Sequence, residues 1–186
     1  FHNFAQQRNF ATEHGALRHD WVFHLDADEE FTPELLTELR QWTPTQGFDG
    51  AWIAPQMNWR GSWLKHCTDF PAWQARWVHR DRFHFIEVGH GQREAESMRM
   101  TKLTTNYRHN LSAAGVDGWL EKHRRYALSE ARSFLHEPTP PLNQLVSPAP
   151  LLRRRALKHF SYRLPCRPLF RFVYQYLLRG GFMDGK

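Results

Sequence analysis

Asp26 and Asp28 stand one residue apart at the end of a short run, Trp21-Val22-Phe23-His24-Leu25, and Glu29 and Glu30 follow them. Four of the five residues before Asp26 are apolar and several are bulky, which predicts a buried strand. Two carboxylates brought together at the carboxyl end of such a strand repel each other. A hard divalent cation offsets that repulsion, and Mg²⁺ in particular binds through one or two carboxylates together with substrate phosphates. In open α/β sheets, ligands gather beyond the carboxyl ends of the strands. The pair therefore predicts a metal–diphosphate site.

The elements that must position this pair are legible at low resolution. Residues 2–19 predict a helix, with Phe4, Ala5 and Ala11 near one face. Thr32-Pro33-Glu34 has the form of a helix start: a capping hydroxyl, proline at the first helical position and an acid in the first turn. Leu35, Leu36 and Leu39 give that helix its apolar side. Residues 50–57 read as a strand with Pro55 near an edge or bulge, and Asn58 to Trp63 as a hairpin or loop. Short strands are expected over 73–79, 83–88 and 103–108, with a turn at Arg80-Asp81-Arg82. Asp117 suits the cap of a long helix reaching about His136. Five prolines mark 137–150 as a linker, and helices are expected over about 151–160 and 168–179.

Composition sets the outer limits. The chain has 186 residues, 41% of them apolar, and is rich in aromatics with 14 Phe, 8 Trp and 5 Tyr. That excludes a disordered chain. No run approaches the roughly 18 apolar residues of a membrane span, and no signal peptide is visible. Cys67 and Cys166 lie far apart without a CxxC partner, so two reduced thiols in a cytoplasmic protein are expected. His66-Cys67 and His79 do not form a zinc spacing. Residues 1–112 carry 12 Lys and Arg against 14 Asp and Glu, whereas residues 113–186 carry 13 against 5. This asymmetry predicts two parts, 1–112 and 113–186, with different tasks. Phe1 falls within a helical pattern and Lys186 follows a glycine-rich turn, so the chain reads as a piece of a longer protein.

The ordered set of motifs resembles the family 2 glycosyltransferases, inverting enzymes of the GT-A type, and especially bacterial members that build lipopolysaccharide core, capsule or exopolysaccharide. The matching stretches are Gln6-Gln7-Arg8-Asn9-Phe10-Ala11 followed by Leu25-Asp26-Ala27-Asp28-Glu29, then Pro71-Ala72-Trp73-Gln74-Ala75-Arg76-Trp77. Gly89-His90-Gly91-Gln92-Arg93-Glu94, Trp119-Leu120-Glu121-Lys122-His123 and the tail from Pro168 to Gly185 extend the match over nearly the whole chain. The resemblance implies an α/β fold: residues 1–112 as the C-terminal portion of a Rossmann-like GT-A domain, and 113–186 as a helical, basic extension. The family's opening strand–helix–strand unit, which holds the nucleotide base, would precede Phe1.

That resemblance further implies transfer of a sugar from a nucleotide-sugar, a UDP-sugar foremost, to a hydroxyl of a saccharide or lipid-linked saccharide. Mg²⁺ or Mn²⁺ would bridge the diphosphate and stabilise the charge of the leaving group. Asp28 would be the main metal ligand, and Asp26 would hold the ribose or the metal through water. Glu29 and Glu30 are weaker candidates, and a solvated acidic helix start accounts for them as well. Inversion requires one general base; Glu94 leads, followed by Glu87, with Asp69 behind them. His90 is a candidate for metal or phosphate contact and equally for a structural loop histidine. Gln74 and Arg76 alternate with Trp73, Ala75 and Trp77, so they fall on one face of a strand, as phosphate or acceptor contacts or as plain half-exposed residues. Trp59 and Trp63 suit either stacking on a sugar or core packing.

The basic, aromatic stretch 151–180 fits a surface helix on an anionic membrane, at the inner face of the cytoplasmic membrane, or a helix docked on the preceding domain. No nucleic-acid partner is expected. A haloacid-dehalogenase-type phosphatase also places Asp-x-Asp after an apolar strand, but Glu30 stands where that family has Thr or Val. An EF-hand is weaker, since Phe31 occupies the glycine position. The non-enzymatic alternative is a basic membrane- or nucleic-acid-binding module, which leaves the acidic pair without a task.

Overall fold

The computed structural model describes residues 3–42, 47–88, 91–136 and 138–184. Its elements, in chain order, are α1 (Phe4–His14), β1 (Trp21–Phe23), β2 (Glu29–Glu30), α2 (Pro33–Gln41), β3 (Gly50–Trp59) and β4 (Ser62–Trp63). Strands β5 (Gln74–His79), β6 (Phe85–Val88), β7 (Gly91–Glu94) and β8 (Met100–Asn110) follow. Beyond β8 the described chain is helical: α3 (Gly115–His136), a 3₁₀ turn at Leu142–Val146, α4 (Pro150–Ser161) and α5 (Arg167–Phe172), which runs into a π-helical segment at Val173–Leu178.

The main sheet has the order β1-β5-β3-β8-β2, with β4 folded back on β3. Among the described residues only the β3/β8 pair is parallel; the other ladders are antiparallel. This is a mixed α/β arrangement, less parallel than an open doubly wound sheet. A second ladder, β6/β7, forms a hairpin beside α1.

The sheet buries both faces. Ala5, Ala75, Val78, Phe83 and Phe85 pack with Trp52 on the α1 side. Leu35, Ala51, Ile53, Leu103 and Tyr107 pack with Phe23 and Trp77 on the α2 side. The helix start at Thr32 is as the sequence predicts. Thr32 Oγ1 accepts from the Leu35 N–H at 3.1 Å, and Pro33 opens α2. The hairpin from Asn58 to Trp63 also forms, turning through Arg60 and Gly61 with φ of 49° and 86°. The positive φ at both central residues matches the right-handed twist of paired strands.

Two expectations change. The strand before Asp26 is three residues long, half-buried and at the sheet edge, paired only with β5 among the described residues. Its bulky residues pack on one side against Trp42, Trp77 and Phe31 rather than lying between two sheet neighbours. Pro55, expected near an edge or bulge, lies fully buried in the central strand β3, directly after the irregularity in its pairing with β8 between Trp52 and Ala54. It is tolerated there because pairing with β5 ends at Ile53–Gln74, before the proline is reached. Asp117 lies in the first turn of α3 rather than capping it.

Irregular pairing places the polar residues. Along β3 and β5 the register passes from Ala51–Trp77 to Trp52–Ala75, so Arg76 is the extra residue of a β-bulge. A bulge puts two successive side chains on the same side. Trp77 joins the α2-side core, and Arg76 reaches Tyr107 on that same side. A second irregularity on β8 skips Leu103 to Thr105 in the pairing with β3. Glu38 of α2 satisfies it, accepting from the backbone N–H and hydroxyl groups of Thr104 and Thr105. These four hydrogen bonds outweigh the effect of burial and hold the Glu38 carboxyl below its ordinary pKa.

Candidate functional site

The acidic motif forms a tight turn between two strands. Chain leaving β1 is held by the His24 N–H donating to the Arg76 carbonyl at 2.9 Å. Glu29 N–H then donates to the Asp26 carbonyl at 3.0 Å, and the Glu29 carboxylate reaches back to the Asp26 N–H at 2.9 Å. Glu29 and Glu30 pair with His109 and Arg108 of β8, and Asn110 N–H donates to the Asp28 carbonyl at 2.8 Å. The turn is thus fixed by backbone at both ends before any side chain acts.

Arg76 is the centre of the charge network. Its Nε donates to Tyr107 Oη at 3.1 Å, and its Nη1 to the His24 carbonyl at 2.9 Å. Nη2 donates to Glu29 Oε1 at 2.6 Å and to Gln74 Oε1 at 2.8 Å, and both terminal nitrogens reach Asp26 Oδ2 at 3.3 Å. Arg8 of α1 takes the other Asp26 oxygen at 2.6 Å. Burial raises the Asp26 pKa, but Arg76 and Arg8 together outweigh it and hold the carboxyl below its ordinary value. For Glu29 the balance is reversed: its side chain is fully enclosed, and burial lifts its pKa against the pull of Arg76. Burial likewise raises the pKa of Tyr107. Arg76 is itself buried, yet Tyr107, Glu29 and Asp26 push its pKa up. Every N–H of this guanidinium is engaged within the protein. It positions Asp26, where sequence alone suggests a ligand contact.

His24 sits against the Phe85 ring, 5.1 Å between centroids, with its pKa lowered to about 4 by burial, then by Arg8 and Arg76. An unfolded histidine takes its proton near 6.5. Between those values the unfolded chain binds more protons, so stability falls as pH drops from about 6.5 to about 4 and levels off below. After discounting for partial exposure, the loss is about 2 kcal/mol. Glu29 works in the opposite sense, so the comparison must isolate the histidine. Urea denaturation across this range should show a shallower slope for His24→Leu than for the parent; parallel slopes would remove His24 from the account.

One cavity of about 720 Å³ opens between α1, the β6/β7 hairpin and the sheet. Of the residues the sequence singles out, Asp26, Gln74, Arg76 and Glu94 line it together. Asp28 does not; it faces His109 Nε2 at 3.3 Å and Lys122 Nζ at 4.0 Å. Glu87 is also away from the lining, exposed and accepting from the Asn3 side chain at 2.8 Å. Asp69 is exposed and paired with Arg179. His90 lies outside the described residues. Trp59 packs edge-on against Trp119, and Trp63 against Phe70, so both are engaged by the protein. The aromatic side chains on the cavity are instead Phe4, Trp52, Trp73 and Phe85.

Arg93 and Lys102 also line the cavity and have no ion-pair partner among the described residues; Lys102 lies over the Trp73 ring at 4.7 Å. Sequence reasoning does not assign Arg8, Tyr107, His109 or Lys102 to the site. Arg8 falls within a stretch that carries the resemblance, but nothing local ties it to a carboxylate 18 residues away. Tyr107 and Lys102 lie near or within a predicted strand, and only the β3/β8 pairing brings them beside Arg76 and Trp52.

The available donors limit the kind of metal site. Among the described residues no group of three or more His, Cys, Asp or Glu could hold an ion. Asp26 is committed to two guanidinium groups, and Asp28 offers a carboxylate at the mouth of the turn. One or two carboxylates are too few for a resident cage, but they suit Mg²⁺ or Mn²⁺ arriving with phosphate oxygens that complete its coordination. In comparisons with models of protein families, with curated proteins and with solved structures, nothing matches this chain.

Proposed function

We propose that the chain carries the acceptor-side part of an inverting glycosyltransferase, moving a sugar from a nucleotide-sugar to a saccharide hydroxyl in cell-surface polysaccharide or lipopolysaccharide synthesis. The observation that supports this best is the composition of one cavity. Asp26 is held at its rim by two arginines, and Glu94 stands on the β7 wall. Arg93 and Lys102 offer positive charge, and Trp52, Trp73 and Phe85 offer flat apolar faces. Such a site suits a ligand that is anionic at one end and a sugar at the other.

Asp28 would be the main ligand of a divalent ion that comes with the donor diphosphate, and Asp26, whose two oxygens are held by Arg8 and Arg76, would reach that ion through water. That ion would stabilise the departing phosphate charge. Arg8 and Arg76 fix the Asp26 carboxylate in place, which limits reorganisation when the donor binds. Glu94 would accept the proton of the attacking hydroxyl. Phe4 of α1 and Phe85 of β6 add apolar surface beside that wall.

The test is release of nucleoside diphosphate from a panel of nucleotide-sugars by the intact protein, with Mn²⁺ binding followed by electron paramagnetic resonance. Mn²⁺ should bind only when a nucleotide or nucleotide-sugar is present. Asp28→Ala should weaken that binding and lower turnover by about 10–100-fold. Mn²⁺ held equally well by the protein alone would contradict the donor-borne ion, and turnover unaffected by Asp28→Ala would count against the whole assignment.

A further inference from the structure

Between residues 138 and 183 the chain has eight Lys and Arg and no Asp or Glu. The same stretch holds a long apolar surface left exposed among the described residues. No residue of α5 or of the π-helical segment after it is buried. Leu169, Phe170, Phe172, Tyr174, Leu177 and Leu178 are each more than half exposed, Leu178 to 76%. Side chains three and four apart share one helix face. Arg167, Arg171 and Gln175 therefore line one side of this helix, and the apolar residues fill the rest.

We infer that this segment lies in the interface of an anionic lipid bilayer, with its apolar side among the acyl chains and its arginines at the headgroups. A wide apolar face bordered by cations is the pattern of a helix lying in the membrane plane. Tyrosine and phenylalanine are at home at that depth. No helix among the described residues is long and apolar enough to cross a membrane, so the segment lies on the surface. Arg154, Arg155 and Arg171 have no ion-pair partner among the described residues, leaving their charge to an external anion. A second copy is a poor occupant for this face. Symmetric pairing would set one acid-free basic segment against another, and like charges repel.

The segment is tied back to the sheet. The Asp184 carboxylate accepts from the backbone N–H groups of Lys65, His66 and Cys67 at 2.8–3.1 Å. Gly181 sits so close to Cys67 that a Cβ there would meet the Cys67 Cβ at 2.9 Å. Arg179 adds an ion pair to Asp69 at 3.4 Å. A membrane that holds the helix therefore also holds the loop after β4.

Flotation of the intact protein with phosphatidylcholine vesicles, and with vesicles enriched in phosphatidylglycerol, tests the inference without reference to catalysis. Binding should favour the anionic vesicles and weaken with salt. The double variant Phe170→Glu, Leu177→Glu should reduce it by at least about tenfold, and Arg171→Ala by about fivefold. Both sites are exposed, so circular dichroism should be unchanged; Leu178→Asn gives a milder second reading. Equal binding to neutral vesicles would overturn the inference, as would indifference to these substitutions. So would a dimer in sedimentation that the double variant dissociates, or capture by a polynucleotide without vesicle binding.

Discussion

Replacing Arg76 by methionine should destabilise the protein by about 3–5 kcal/mol, the cost of leaving a buried charge without its partner. The Glu29 side chain is fully enclosed, and Arg76 at 2.6 Å is its closest counter-charge. Without the guanidinium, Glu29 keeps only the Asp26 N–H and a distant His109 Nδ1 at 3.7 Å. Gln74 and the Tyr107 hydroxyl lose a partner at the same time. Lysine is no substitute, because it cannot present the fork that reaches Glu29, Gln74 and Tyr107 together. Urea denaturation gives the number. The double variant Arg76→Met, Glu29→Leu should recover most of the loss, since it removes both charges and fills the space with apolar atoms. A single-variant loss below about 1 kcal/mol would mean that the pair is solvated, as surface pairs are.

Glu94→Gln should reduce sugar transfer by about 10²–10⁴-fold, the usual range for loss of a general base. The substitution keeps the size of the side chain on β7, so the cavity wall stays in place and the loss should fall on kcat with KM little changed. Glu87→Gln is the matched control. Glu87 is exposed on β6 and bonded to Asn3, so its removal should change turnover by less than about twofold. Full activity in Glu94→Gln together with loss in Glu87→Gln would move the base to the neighbouring strand. Full activity in both would require a base elsewhere.

Local rules account for much of the fold. Thr32-Pro33 starts α2, the Arg60-Gly61 turn closes the β3/β4 hairpin, and the apolar spacing after Asp117 belongs to the long helix α3. The candidate site is only half legible. Asp26, Gln74, Arg76 and Glu94 are marked by residue type and motif, and they do share one cavity. Which of them faces a ligand is decided by partners far along the chain. Arg8, 18 residues before Asp26, neutralises one of its oxygens. Tyr107, 31 residues after Arg76, takes the guanidinium Nε. Glu29 reads either as a weaker metal candidate or as a solvated acid before a helix, and the β2/β8 pairing brings it into an enclosed position. Period-two alternation fails at Trp77 for the same kind of reason. A bulge is a property of two strands in register, and one strand's sequence does not carry it.

That additional residue in β5 makes the aim of Arg76 a matter of chain length as well as chemistry. A regular ladder from Ala51–Trp77 to Trp52–Ala75 would have one residue fewer on the β5 side. With no extra position, the neighbour of Trp77 would project to the opposite face of the sheet, away from Tyr107. Losing a single codon between Gln74 and Trp77 would therefore dismantle the charge cluster while the apolar layers still closed around it. Such a deletion would leave the enclosed Glu29 carboxylate without its guanidinium, so the shortened chain would carry the cost of a broken buried charge pair.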